Sequence, residues 1–376
     1  MTKVMFLSDD EMMVYAQGRI SCLHSERRER YIQTARNLEA RNAWKYEGAG
    51  AKFQMRENPY ERQSIMAESQ CHVRAIAPWQ GRLLYALTTP DMGGLYVKDP
   101  ADDAAPESSW LSERGLQVED LHVQGDQVAL SVKVGMGERH IAVMKADTAR
   151  YEIITQGDTV DAAPFLSRDG RTLYYASVGL ARNENGFLMG TGPSVLLRMN
   201  LRTGEMEEIA ADDRYDYLRP KEGPDGALYC IRRPHRQPEA PRPGLVQRVK
   251  GFGAAMKGLG KLLRLIGDPQ GEAAREGGAS TQGGQAVQSR PFDDVWLKIT
   301  PARGEDDQEN GGIPSDWVLL RRTPGGFEEV CKGIADYDFD GDALVVSDGR
   351  RILRIADGER EVLYKGAYVP RIAVFE

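Results

Sequence analysis

The chain has 376 residues and a net charge of −7, with 41% hydrophobic and 28% charged residues. That acidic balance argues against a general nucleic-acid binder, and the apolar content argues against a disordered chain. No apolar run is long enough to cross a bilayer as a helix, while 40 Gly and 19 Pro announce many turns.

In chain order, the opening MTKVMFLSDDEMMVYA reads as two short apolar strands joined at Asp9-Asp10. An acidic pair so early is not the pattern of a secretory signal. Cys22, Cys71, Cys230 and Cys331 are scattered, with no CxxC pair. The expectation is therefore reduced thiols in a cytoplasmic protein. The hairpin shape returns in IAPWQGRLLYAL at Gln80-Gly81, LHVQGDQVALSV at Gly125-Asp126 and FLSRDGRTLYYA at Asp169-Gly170. It returns again in PKEGPDGALYCI at Asp225-Gly226 and DYDFDGDALVVS near Gly341. Gly suits such turns because it accepts a positive φ without a Cβ clash.

A second hairpin follows each of these: ISCLHSERRERYIQ, LYVKDPADDAAPESSWLS, IAVMKADTARYEIIT, LLRMNLRTGEMEEIA, VLLRRTPGGFEEVC and ILRIADGEREVLYK. The unit is four antiparallel strands, repeated over 1–40, 71–113, 114–157, 158–213, 214–330 and 331–376. One such sheet cannot bury both faces, whereas six stacked radially can. The expected fold is all-β: one six-bladed β-propeller over 1–376, with four-stranded antiparallel blades and a helical or flexible insertion in the fifth. The terminal YVPRIAVFE is a strand without a unit of its own. It is expected to join the first unit and fasten the ring, since a free edge invites aggregation.

The string DAAPFLSRDGRTLYYASV, followed by LLRMNLRTGEMEEI, resembles the TolB-type, WD-like propeller repeat. The resemblance rests on 158–213 and, more loosely, on the C-terminal unit. It implies architecture alone, because hosts of this repeat include periplasmic scaffolds and the propeller halves of peptidases. No GxSxG is present here.

Antiparallel alternation places three long connections on one face: 35–70, 177–193 and 234–316. Long connections on a rigid scaffold often carry function. The last is Pro-rich at QPEAPRPG and Gly-rich at PQGEAAREGGASTQGGQAVQSR, so 234–294 reads as an inserted linker. Within it, 245–266 carries Leu245, Val249, Phe252, Met256, Leu259, Leu263 and Ile266 at helical spacing. Lys250, Lys257, Lys261 and Arg264 take the other side. A basic amphipathic helix of this kind suits an anionic membrane surface, a protein partner's groove, or docking on its own propeller. Gly251, Gly253, Gly258 and Gly260 weaken it, so burial of the stripe is needed to form it.

Inner strands of a propeller line its channel. Their starts place His72, Arg74, Asp161, Tyr217, Arg219 and Asp336 at the mouth on the insertion-bearing face. Such a cluster can bind a polar ligand. Asp336, Asp338, Asp340 and Gly341 spell half a calcium loop, but Ser347 stands where the closing Glu belongs. Turn plus strand accounts for that motif. No metal, cofactor or catalytic residue is expected. The reading is a non-enzymatic scaffold that recognises a protein partner or ligand through its loop-rich face, with no nucleic acid involved. The alternative is a propeller enzyme of the lyase or lactonase kind, with a polar site at the channel mouth.

Overall fold

The Asp169-Gly170 turn forms as its residues require. Gly170 takes φ +67°, its N–H donates to Ser167 O at 2.8 Å, and Ser167 Oγ donates to Asp169 Oδ1 at 2.6 Å. Gly81, Gly125, Gly226 and Gly341 take the same left-handed conformation in the equivalent turns. The computed structural model describes residues 2–45, 65–235 and 312–375, apart from Asp9, Asp10, Met66, Glu68, Ser69, Met136 and Asp147.

Strands β1 (Lys3–Ser8), β2 (Glu11–Ala16) and β3 (Arg19–Leu23) come first, followed by helix α1 (Glu26–Asn42). Next, β4 (His72–Trp79), β5 (Arg82–Thr88), β6 (Met92–Lys98) and β7 (Ser108–Arg114) form one antiparallel sheet in that order. The following group is β8 (Val118–Gln124), β9 (Gln127–Lys133), β10 (Arg139–Lys145) and β11 (Tyr151–Ile153). After it come β12 (Thr159–Leu166), β13 (Thr172–Arg182), β14 (Leu188–Asn200) and β15 (Met206–Ala210). A single parallel bridge, Arg139 with Val160, joins these two groups into one larger sheet. Then β16 (Tyr215–Glu222), β17 (Leu228–Pro234), β18 (Val318–Thr323) and β19 (Gly326–Lys332) form a sheet. So do β20 (Asp336–Asp340), β21 (Ala343–Ser347), β22 (Arg351–Ala356) and β23 (Glu359–Lys365). Finally β24 (Arg371–Phe375) pairs antiparallel with β1, with Phe375 opposite Lys3 and Arg371 opposite Leu7.

The leading strands pack side by side: β20 against β24, β24 against β4, β4 against β8, β8 against β12, and β12 against β16. Between β16 and β20 the link is made by side chains. Arg219 pairs with Asp336 at 2.8 Å, and the Tyr337 hydroxyl donates to Arg219 O at 2.7 Å. Side-chain bridges tolerate a splay that a backbone ladder would not.

The first unit departs from expectation. The sheet runs β24-β1-β2-β3, so the hairpin around residues 9–10 joins its second and third strands, not its first and second. The burial pattern explains this. KVMFLS is apolar nearly throughout and buried on both faces, like β5 and β9, the second strands of their sheets. The expected second hairpin, ISCLHSERRERYIQ, is β3 followed by α1. Ser25 caps that helix by accepting from Arg28 N at 3.2 Å, and Glu26 and Glu29 lie in its first turn, where the helix dipole favours them. The C-terminal strand joins the first unit as expected and supplies its missing fourth member. The 177–193 connection is also corrected: β13 and β14 run on as a long hairpin that turns only at 183–187.

Both chain ends share one apolar cluster. Val4 and Phe6 of β1 pack with Ile372 and Val374 of β24, and with Val345, Ile352 and Leu363 of the β20–β23 sheet. The Phe6 ring lies 4.6 Å from that of Tyr364. Phe6→Ala is expected to cost about 3–5 kcal/mol in urea unfolding, through lost burial plus a cavity. Val362→Ala, at an exposed position, is expected to change stability by less than about 1 kcal/mol. Equal effects of the two would contradict this packing.

Candidate functional site

All the leading strands start at one face and end at the other, so the register locates every connection. Thr159 at the start of β12 lies opposite Gly179, which leaves the end of β13 and the tip of the β13–β14 hairpin projecting beyond that face. His72 at the start of β4 lies opposite Thr88, so the β5–β6 connection lies there too. Tyr215 lies opposite Pro234, placing the end of β17 on the same side. Helix α1 leaves from this face as well, and Arg28 Nε donates to Cys71 O just before β4 at 2.9 Å.

At this face the leading strands enclose a cavity of about 170 Å³, lined by Arg74, Arg139, Arg219, Arg233 and Arg371 together with Glu119 and Asp120. Val73, Val160, Val178 and Trp317 supply apolar wall. Arg371 pairs with Asp120 at 2.7 Å, and Arg219 pairs with Asp336 and donates to Pro370 O at 3.0 Å. Asp336 also accepts from Ile372 N at 2.9 Å. Behind the cavity, Asp216 holds Arg233 at 3.0 Å and His235 at 2.8 Å. Glu119 stands 4.0 Å from Arg74 and 3.9 Å from Arg139.

Backbone irregularity aims these groups. The pairing of β16 slips between Leu218 and Lys221, and Arg219 takes φ +51°. The pairing of β12 slips between Ala162 and Phe165, with Ala163 at φ +50°. Both residues precede proline. Such bulges turn a side chain out of the regular alternation.

The charges are mutually adjusted. Burial opposes the ionised Asp336 carboxyl, yet Arg219, Lys221 and Arg371 outweigh it and hold its pKa below the usual value. Burial also opposes the Arg219 guanidinium, and there Asp336 and Asp120 prevail and raise it. For Arg371, burial and then the charge of Arg219 win, and its pKa is lowered. Burial likewise lowers Arg139 against the pull of Glu119.

Of the residues expected at the mouth, Arg74 and Arg219 line the cavity, and Asp336 stands behind it, ion-paired to Arg219. The other three do not line the cavity. Asp161 lies between Val160 and Ala162, which face the cavity, so strand alternation turns it the other way. There it accepts from Thr155 Oγ1 at 2.5 Å and Ser177 Oγ at 2.6 Å, sealing two neighbouring strand groups. Tyr217 packs against Phe327 inside the β16–β19 sheet's apolar cluster. His72 is half-buried in the β4 ladder, outside the cavity lining. The half-calcium motif resolves into three separate partnerships. Asp336 pairs with Arg219, Asp338 with Lys221 at 3.5 Å, and Asp340 with Arg354 at 3.2 Å. The helix positions Val249, Lys250, Phe252, Met256, Lys257, Leu259, Lys261, Leu263, Arg264 and Ile266 lie outside the described residues.

Exposed apolar side chains stand on the same face: Met92 after the β5–β6 connection, Val134 just past β9, and Phe187 and Met189 at the β13–β14 tip. Phe187 and Met189 are 66% and 65% exposed.

No family model and no curated protein matches the chain. Among solved structures, TolB from Acinetobacter baumannii is 10% identical over 99% of this chain and 66% of its own, with a TM-score of 0.49. A putative TolB from Agrobacterium tumefaciens is 12% identical over 79% of this chain and 87% of its own, with a TM-score of 0.38. YCF48 bound to D1 peptide is 9% identical over 78% of this chain and 66% of its own, with a TM-score of 0.37. The chain resembles TolB-like β-propeller proteins. It spans 66% of the Acinetobacter TolB and 34% of the tricorn protease, another similar structure.

The opposite ends of the leading strands open into a wider hollow of about 840 Å³, which His122 lines. His122 Nδ1 accepts from Leu166 N at 3.0 Å, and its ring lies 4.1 Å from that of Phe165. Burial, with a smaller push from the charge of Lys221, lowers its pKa from 6.5 to about 3.

Two outcomes follow from these buried charges. Arg219→Ala leaves Asp336 buried without its partner and is expected to cost about 3–5 kcal/mol in denaturant unfolding. A loss under about 1 kcal/mol would mean the pair is solvent-compensated. For His122, the unfolded chain binds a proton below about pH 6.5, whereas the folded chain resists until about pH 3. Stability is therefore lost as pH falls through this window, by up to about 1.4 kcal/mol per unit. The difference in unfolding free energy between the parent chain and His122→Gln, measured from pH 7 to 4.5, is expected to show that slope. A flat difference would contradict the assignment.

Proposed function

We propose that the six four-stranded groups are the blades of a closed propeller, and that the chain is a binding module with a protein partner. The partner seats on the face where the leading strands begin. One observation carries the reading: exposed Met92, Val134, Phe187 and Met189 stand on or beside the connections around an arginine-lined cavity of that same face. Exposed apolar groups around a polar, concave centre are what a partner surface needs. The sheets beneath are rigid, so the projecting hairpin presents its tip at little entropic cost. Asp120 and Asp336 are each held by an arginine within 2.8 Å, an arrangement that suits a fixed binding surface.

Placing a photo-cross-linking residue at 187 or at 189 in the native cell is expected to trap the same partner from both positions. The same group at Val362, on β23 and exposed, is expected to trap none of it. Phe187→Ser with Met189→Ser is expected to weaken capture about tenfold or more while leaving the melting temperature unchanged. Equal trapping from 362 would overturn the reading.

A further inference from the structure

We infer that the arginine-lined cavity is a carboxylate-binding site; this rests on the binding-face reading and names the chemistry at its centre. Five guanidinium groups line one space of about 170 Å³. Three of them have a close carboxylate: Arg371 has Asp120 at 2.7 Å, Arg219 has Asp336 at 2.8 Å, and Arg233 has Asp216 at 3.0 Å. Glu119 stands 4.0 Å from Arg74 and 3.9 Å from Arg139, beyond hydrogen-bonding range of either. Nε of Arg74 is buried and has no hydrogen-bond partner.

These features specify the guest. A buried, charged N–H without an acceptor is costly, and an arriving oxygen relieves that cost. A guanidinium presents a planar fork that a carboxylate meets with two parallel hydrogen bonds. Glu119 and Asp120 on the lining repel a phosphate dianion more strongly than a carboxylate. Apolar wall from Val73, Val160 and Val178 lowers the local dielectric and leaves room for a short aliphatic stem. The same carboxylate can arrive on a free small acid or on the acidic end of a partner's chain, and the binding chemistry is shared.

The test uses the whole chain at fixed ionic strength. Carbon-13-labelled propionate represents the free acid, and the tripeptide acetyl-Gly-Gly-Ala, with a free or an amidated terminus, represents a chain end. Binding is read by carboxyl chemical shift and calorimetry. Propionate or the free-acid peptide is expected to bind, and the amide is not. A tighter free-acid peptide identifies a partner's chain as the source, and a tighter propionate identifies a small acid. Arg74→Gln is expected to lower affinity about tenfold or more, with Arg74→Lys between the two because it keeps charge but not the fork. Glu119→Gln is expected to raise affinity several-fold by releasing the Arg74 guanidinium, an outcome that misfolding cannot mimic. Binding no better than that of propionamide, or affinity indifferent to both Arg74→Gln and Glu119→Gln, would overturn the inference. Cross-linking through residues 187 and 189 does not require the arginines. Lost carboxylate binding with cross-links intact therefore sinks this inference alone, and the converse sinks the binding-face reading alone.

Discussion

The pairing of β24 with β1 is the constraint on which the central site depends. It places residues 3–7 and 371–375 in one sheet, so that sheet is completed by a strand from far along the chain. It also carries Arg371 between β4 and β20, where it meets Asp120 of β8. That ion pair, and the bond from Ile372 N to Asp336, exist only when the terminal strand is docked. Closure entropy grows slowly with the length of the loop closed. A long-range pairing of this kind is thus slow to find but not ruinous to keep, provided an apolar cluster holds it. The cluster around Phe6, Ile372 and Val374 meets that requirement.

Strain enters where β12 and β16 bulge. Arg219 and Ala163 both take φ near +50° directly before proline, a conformation that costs a non-glycine residue about 1–3 kcal/mol. Because Ala163 carries no functional group, the strain cannot be attributed to aiming an arginine. It belongs to the architecture: the leading strands must bend as they converge, and the bulge supplies the bend. Arg219 exploits a kink that the fold already demands. The kink turns its guanidinium toward Asp336 and Pro370, out of the alternation that buries Tyr217.

Much of this fold was legible because turns are local. Gln80-Gly81, Asp169-Gly170 and Gly341 declare their hairpins through the positive φ that Gly accepts. The first unit was misread for an instructive reason. KVMFLS looks like any apolar strand, and only its burial on both faces marks it as a second strand. That burial depends on a partner from the far end of the chain. The site was legible in half. Arg74 and Arg219 sit on leading strands that the repeat locates, and so do Glu119 and Asp120, which the hairpin reading from Leu121 onward passed over. Arg139 starts a third strand and Arg233 lies next to the end of a second one, so no repeat position points to either. Asp161 was misplaced because alternation sends it away from Val160, and a bulge one residue further on conceals that from a simple count.

Buried ion pairs are poor devices for stability, since desolvation cancels most of their attraction and apolar residues of the same volume often serve better. Five arginines converging on one small space therefore call for another explanation than holding the sheets together, a task the apolar clusters between neighbouring sheets already perform. Were the arginines purely structural, each would be expected to carry its own carboxylate at hydrogen-bonding distance, as Arg371 and Arg219 do. Arg74 does not: its nearest carboxylate, Glu119, lies 4.0 Å away and also serves Arg139, and its Nε has no acceptor. A guanidinium whose Nε is buried without an acceptor gains most from a guest that brings one. In the proposed binding role, the exposed apolar side chains on the same face supply contact area, and the cavity supplies selectivity for what the contacting surface carries at its centre.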